Sequence, residues 1–434
     1  MCKKLFFTVA AVLAITGTLL AAGQDEIGAV EADSNLDAFT ISVSGWNLGD
    51  DPNGIITAYK DTFKAAYAET YPNATVEILN TPGETYFDVL KAQMASNSAA
   101  DVVQFQTEQL ALFAQAGFIA DLSDMAITER ITLKDPVMYD GKFYAVPFGL
   151  GAHGIWYSKA LFTENNIAVP TTWDQFIEVC ETFDTMGITP ISGGFKDAWV
   201  AKMTAKEFLW NDYSSPDFEL EVYNGTRKLA GSELEETFTK LQQLIDNEYF
   251  GKDALSNGWD LQRNGFENGK SAMIMHGPYM AGLAWLETMD EDGLNGMETG
   301  FFSIPNDDGV PVISASLNTI TGINAKTADI DRAKDLVDAM HTTEAVVVRM
   351  KDAGMFPAIS GIEIDYKETG NKEFLQVLGN AETVNGGRYL PGSVQDAMGR
   401  FFTKMLAGFT FDPVWLTELD ETYKNDKSLV APPQ

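Results

Sequence analysis

Phe39-Thr40-Ile41-Ser42-Val43, then Ile55, Ile56, Tyr59, Phe63 and Tyr67, then Thr75-Val76-Glu77-Ile78-Leu79: over this stretch a two-residue alternation gives way to spacings of three and four, and then returns. Alternation points every second side chain of an extended strand to one face, whereas spacings of three and four lay apolar side chains along one side of a helix. The stretch reads strand, helix, strand. The pattern continues with a helix from about Thr85 to Ala95, the apolar strand Val102-Val103-Gln104-Phe105, and a helix running to Gly117. Helices alternating with strands predict an α/β fold in which parallel sheets are flanked by helices.

Upstream, Gln24 to Asp37 is polar and acidic and reads as a disordered lead-in, residues 24–37. Before it, Met-Cys-Lys-Lys is followed by an apolar run from Leu5 to Leu20 and the small residues Ala21, Ala22 and Gly23. A charged start, a short apolar run and a small-residue exit form the pattern of a cleaved secretory leader, here residues 1–23. The run falls short of the about 20 apolar residues that a membrane span needs. No cysteine stands directly after the run, at Ala21-Ala22-Gly23-Gln24, so the expectation is a soluble protein in the periplasm or outside the cell, with cleavage near Gln24.

The whole chain carries 30 basic and 62 acidic side chains, and losing Lys3 and Lys4 takes the formal charge from -32 to -34. Nucleic acid and anionic lipid are disfavoured partners, because binding either relies on clustered Lys and Arg. Only Cys2 and Cys180 are present, so the mature chain has no internal disulfide. Trp173, Phe176, Ile177, Cys180 and Phe183 recur at helical spacing, which assigns the thiol to a core. Thr172 with Gln175 three residues on predicts a capping box at the start of that helix. Further helices are expected over Glu235–Asn247, Asp331–Met340 and Thr343–Ala353, a strand over Ala272–Met275, and an exposed connection over Met289–Thr299.

Four segments together resemble the family 1 extracellular solute-binding proteins of ABC importers, whose sugar-binding branch includes the maltose-binding protein. They are Ala100-Asp101-Val102-Val103 to Glu108 with Phe113-Ala114-Gln115-Ala116-Gly117; Gly141-Lys142-Phe143-Tyr144-Ala145-Val146-Pro147 to Trp156-Tyr157-Ser158-Lys159 and Pro170-Thr171-Thr172-Trp173-Asp174; Phe266-Glu267-Asn268-Gly269-Lys270 with Gly277-Pro278-Tyr279; and Gly322-Ile323-Asn324-Ala325 with two helices after it. The resemblance implies two lobes, each with a mixed but mostly parallel sheet, joined by a hinge that the chain crosses more than once. It places 38–148 plus 302–347 in the first lobe and 149–301 plus 348–434 in the second. It further implies a monomer that carries a sugar to membrane permease subunits and catalyses nothing.

A sugar presents hydroxyls around its rim and weakly apolar faces, so its site needs rings for the faces and polar groups for the rim. Matched position by position, the family's ligand loop in the first lobe corresponds to Phe105, Glu108 and Gln109. The maltose-binding branch has a Trp, an Asp and an Arg there, so this chain keeps the ring and the acid but lacks the cation. Phe105 reads equally as a buried strand end, and Glu108 as a solvated charge at a helix start. Tyr279 falls where the family commonly places a stacking ring. Trp46, Trp199 and Trp259 lie in regions that the family uses for ligand, with a structural role as the competing reading, and Asn47 and Asp197 are their polar neighbours. Arg400 stands near a position where the family places a late aromatic. Trp156 and Trp173 belong to framework motifs and are assigned to the core.

Gly149-Leu150-Gly151-Ala152-His153-Gly154 has the spacing of a dinucleotide fingerprint. That fingerprint requires a helix opening at the glycines, whereas Ile155-Trp156-Tyr157 reads as a strand, so the segment is assigned to the hinge. His153, His276 and His341 are dispersed, and with no metal-ligand spacing the expectation is a site without cofactor or metal. His153 and His276 fall near the implied cleft, and a structural role is the expected one. Two classes compete with sugar capture: a binding protein for a non-sugar solute such as a polyamine, and a glycan-acting enzyme using two carboxylates.

Overall fold

The computed structural model describes residues 37–50, 54–83, 85–212, 217–281, 297–351, 355–366, 369–380, 382–384 and 389–426. The leader and all of the lead-in except Asp37 lie outside the described residues. Strand Phe39–Gly45 runs parallel to Ala74–Asn80 on one side and to Val102–Phe105 on the other. Helix Ile55–Thr70 joins the first two and buries Ile55, Ile56, Tyr59, Phe63 and Tyr67, the residues whose spacing identifies it. Long strand Val312–Ile323 then pairs antiparallel with both Val102–Phe105 and Val146–Ala152, and Phe356–Pro357 forms the edge. Glu382–Val384 pairs in parallel with the start of Val312–Ile323.

The second sheet has the order Thr299–Phe302, Gly154–Ser158, Ser271–His276, Thr189–Ile191, and only its last pairing is parallel. The expectation of mostly parallel sheets is therefore corrected: antiparallel pairings are at least as common in both. The cause is the crossing itself. Val312–Ile323, which brings the chain back into the first sheet, and Gly154–Ser158, which carries it into the second, each run antiparallel to two neighbouring strands.

One buried core runs from Ile41 to Phe148 and resumes from Leu317 to Ile362, and a second runs from Ile155 to Ile304 and resumes from Leu390 to Leu419. Phe302 and Ile304 pack in the second core, and the first continues past Val347 through Met350 and Ile359. A third group, including Ala152, Trp156, Phe301 and Phe356, lies around the crossing strands. Trp156, Trp173 and Cys180 are buried as expected, and burial pushes the Cys180 thiol up, away from the reactive thiolate.

The glycine-rich segment is extended, strand Val146–Ala152 followed after His153 by strand Gly154–Ser158, with no helix at the glycines. Gly154 has a packing reason, since a Cβ there would overlap the ring of Phe301 and lie 2.8 Å from the Phe302 carbonyl oxygen. Thr172 caps helix Trp173–Thr185 by accepting from the Gln175 N–H, but the return bond runs from the Thr171 N–H to Gln175 Oε1 at 2.9 Å. The box is shifted by one residue. Of the connection read over Met289–Thr299, residues 289–296 lie outside the described set, and Thr299 is buried at the start of a strand.

Candidate binding site

In open α/β sheets ligands sit in the crevice beyond the carboxyl ends of the strands. In the first sheet, the loops after Gly45 and after Phe105 leave the carboxyl ends of neighbouring parallel strands, in register at Val43 with Val102 and Ser44 with Val103. The first loop brings Trp46, half-buried on Phe87 at 4.9 Å and Tyr86 at 5.8 Å between ring centres. It also brings half-buried Asn47, whose Oδ1 accepts no hydrogen bond from the described residues. Glu108 is exposed in the first turn of helix Thr107–Gln115, where the helix dipole favours a carboxylate. Gln109 is committed locally: its Oε1 accepts from the Gln106 N–H at 2.9 Å and completes a capping box.

Of the two readings that the sequence left open for Phe105, the structure shows the buried strand end. Its ring is 0% exposed, meets Phe113 edge-on at 5.4 Å, and fills space left by Gly322, where a Cβ would lie 2.8 Å from that ring. As placed, it is a core side chain and offers no face to a ligand. Its neighbour Gln104, which sequence reasoning passed over, is also buried, and its Oε1 lacks a hydrogen-bond partner among the described residues.

The second sheet repeats the arrangement. Thr189–Ile191 runs parallel to Ser271–His276; beyond the first come Asp197 and, in the first turn of helix Ala198–Asn211, Trp199, and beyond the second the turn Pro278–Ala281. Asp197 Oδ2 accepts from the Trp259 N–H at 2.7 Å, so the carboxylate anchors the first turn of helix Trp259–Glu267. That bond brings two sequence-distant indoles together: Trp199 and Trp259, both half-buried, meet at 5.6 Å with their planes 64° apart. Beneath them His276 is 0% exposed, its ring 4.3 Å from Trp259 and 5.7 Å from Trp199. Burial, with His153 adding repulsion, holds His276 well below the usual imidazole range. His153, between strands Val146–Ala152 and Gly154–Ser158, places Nδ1 2.9 Å from Oε1 of Glu207 on helix Ala198–Asn211.

Tyr279 lies in the turn Pro278–Ala281, and its side chain is outside the described set. The turn itself is beside the crossing, since a Cβ at Gly151 would touch the Pro278 ring at 3.7 Å. Arg400 is exposed on helix Gly392–Leu406, and no described contact joins it to the indoles. The structure therefore gathers Asp197, Trp199 and Trp259 in one lobe, and places Trp46, Asn47 and Glu108 just beyond the ends of adjacent strands in the other. Each set combines aromatic surface with hydrogen-bonding groups, a combination suited to a polar solute with apolar faces.

Two sheets joined by crossing strands, with aromatic side chains gathered near strand ends in each, define a two-lobed binding protein. Residues 52–347 match the model of the bacterial extracellular solute-binding protein family, and the chain belongs to that family. It is similar to an ABC transporter extracellular-binding protein of Pyrococcus horikoshii, 26% identical over 235 residues that cover 52% of this chain and 55% of the relative. It is also similar to the melibiose/raffinose/stachyose-binding protein of Bacillus subtilis, 30% identical over 199 residues covering 43% of this chain and 44% of that protein. The chain thus spans about half the length of these curated relatives. Among solved structures, a chitin oligosaccharide binding protein superposes with a TM-score of 0.80 at 20% identity, covering 89% of this chain and 98% of that one.

Proposed function

We propose that this protein captures a carbohydrate between its lobes, outside the cytoplasm, and delivers it as a monomer to the permease of an ABC importer. The observation that carries the reading is the pair of half-exposed indoles, Trp199 and Trp259, set beside the Asp197 carboxylate in one lobe, while Trp46, Asn47 and Glu108 stand at the equivalent strand ends of the other. Rings cover the faces of a sugar and the polar groups bond its rim. The oligosaccharide specificities in the names of the similar proteins support the same class. Each such contact contributes only about 1 kcal/mol, and a micromolar complex needs about 8, so both lobes must contribute and ligand favours the closed state.

The first experiment is a thermal-shift screen against neutral oligosaccharides, raffinose and chitin oligosaccharides among them, followed by calorimetry on the hits. A sugar that raises the melting temperature and makes the protein more compact in small-angle scattering is the expected result. No shift with any sugar, together with a shift by spermidine, replaces the reading with polyamine capture. Tyr279→Ala is expected to weaken the best hit about thirtyfold with folding intact, and unchanged affinity removes Tyr279 from the site. Secretion is tested separately, by mass spectrometry of the exported protein. The expected amino terminus lies near Gln24, and a chain retaining Met1 excludes cleavage.

A further inference from the structure

Two half-buried tryptophans can offer a defined surface to a ligand only if something fixes the angle between them. Asp197 holds the start of the Trp259 helix, yet a single carboxylate to a backbone N–H does not set the ring. A buried polar chain lies directly beneath. Gln262 Nε2 donates to the Ser192 carbonyl at 2.9 Å, Ser192 Oγ donates to the Gln262 carbonyl at 2.6 Å, and Gln262 Oε1 lies 3.0 Å from His276 Nε2. His276 is 0%, Gln262 2% and Ser192 7% exposed. A backbone carbonyl can only accept, so the Ser192 carbonyl fixes which end of the Gln262 amide is the NH2. The amide oxygen therefore faces the imidazole, and His276 must carry its proton on Nε2 to donate to it. From the other side, the Trp156 Nε1–H donates to the His276 carbonyl at 3.1 Å. The His276 ring is thus held by its side chain and its backbone, with both indoles against it.

Gly194 completes the device. A Cβ at that position would lie 2.5 Å from Gln262 Cβ and 2.7 Å from its Oε1, so only glycine lets the amide reach the imidazole.

We propose that His276, as the Nε2–H tautomer locked by Gln262, is a positioning residue that sets the mutual angle of Trp199 and Trp259 and thereby the ligand surface of this lobe. The inference rests on the sugar-capture reading for its purpose, but its geometry stands without ligand. The test therefore begins with the unliganded protein. Indoles 5.6 Å apart couple optically, so the wild type should give a tryptophan couplet in circular dichroism that Trp199→Phe abolishes. His276→Phe keeps an aromatic ring but cannot donate to Gln262, and Gly194→Ala displaces Gln262 from the opposite side. Both are expected to lose about half or more of the couplet, and to bind raffinose or a chitin trisaccharide about tenfold more weakly, the loss of one buried hydrogen bond. A folded His276→Phe protein with the wild-type couplet overturns the proposal. Where these variants do not fold, 15N spectra of histidine-labelled wild type decide: His276 protonated on Nε2 supports it, and protonation on Nδ1 alone overturns it. If neither probe binds the wild type, sugar capture loses support while the couplet still decides the role of His276.

Discussion

Replacing Lys240 by Met is expected to lower the unfolding free energy by about 3 to 5 kcal/mol, measured by denaturant titration, the loss typical of leaving a buried charge without its partner. Lys240 is 6% exposed on helix Leu234–Asp246, and its ammonium lies 2.7 Å from Asp212, 3.0 Å from Glu236 and 3.2 Å from Asp307. The Trp173 ring, 5.5 Å away, closes another side. One cation therefore serves three carboxylates, of which Asp212 is the most deeply buried. Burial pushes the Asp212 carboxyl up to about 6 even with Lys240 and Thr237 beside it. Without the ammonium, the site must take up a proton or keep an uncompensated charge. The double variant Lys240→Met with Asp212→Leu is expected to recover much of the loss, since removing both partners leaves no orphaned charge. A single variant less than about 1 kcal/mol below wild type would show that water or rearrangement solvates Asp212, and would sink this account.

The same physics explains which parts of the fold were legible in the sequence. Helix Ile55–Thr70 has one buried stripe and solvent on its other side, so its period is visible. Helix Ala198–Asn211 buries Val200, Ala201, Met203, Thr204, Ala205 and every residue from Glu207 to Asn211. Buried nearly all round, it has no polar face to set a period, and it escaped reading. Strand Val102–Phe105 is buried at all four positions, which is why the sequence could locate the strand but could not say whether Phe105 faced ligand or core. For the site, the family resemblance named Asp197, Trp199 and Trp259 in separate segments, and what the sequence does not show is the bond from the Trp259 N–H to Asp197 that joins two of them across a separation of 62 residues. His276, one residue past the strand read over Ala272–Met275, carries in the sequence only the expectation of a structural role near the cleft. Nothing local marks it as the floor beneath two indoles, because its partners Gln262 and Ser192 come from other elements.

Acidification is expected to destabilise the protein through its buried histidines. His341 is fully buried in the first lobe, stacked on Phe148 at 4.2 Å, with its Nδ1–H donating to the Val337 carbonyl at 2.7 Å. Burial lowers its pKa from 6.5 to about 4. The sign follows from proton counting. Above pH 6.5 neither the folded nor the unfolded chain protonates this ring, and its contribution to stability is complete. Between 6.5 and about 4 the unfolded chain binds a proton that the folded chain refuses, so stability falls by up to about 1.4 kcal/mol per pH unit, about 3 kcal/mol across the window. His276 acts in the same direction. Asp212 opposes them: with its pKa raised from 3.8 to about 6, the folded chain gains a proton there before the unfolded chain does, and that group favours the fold as pH drops through this range. A bare pH curve would mix these terms, so the decisive measurement is a difference. His341→Phe keeps the stack on Phe148 and removes the titration, and every other group cancels between the two proteins. Between pH 7 and 4.5 the stability of wild type relative to His341→Phe is expected to fall by about 2 kcal/mol, whatever the offset between them at neutral pH. A difference that stays constant over that range would mean that His341 titrates normally in the folded state, and that the ring is not sealed from water as its packing requires.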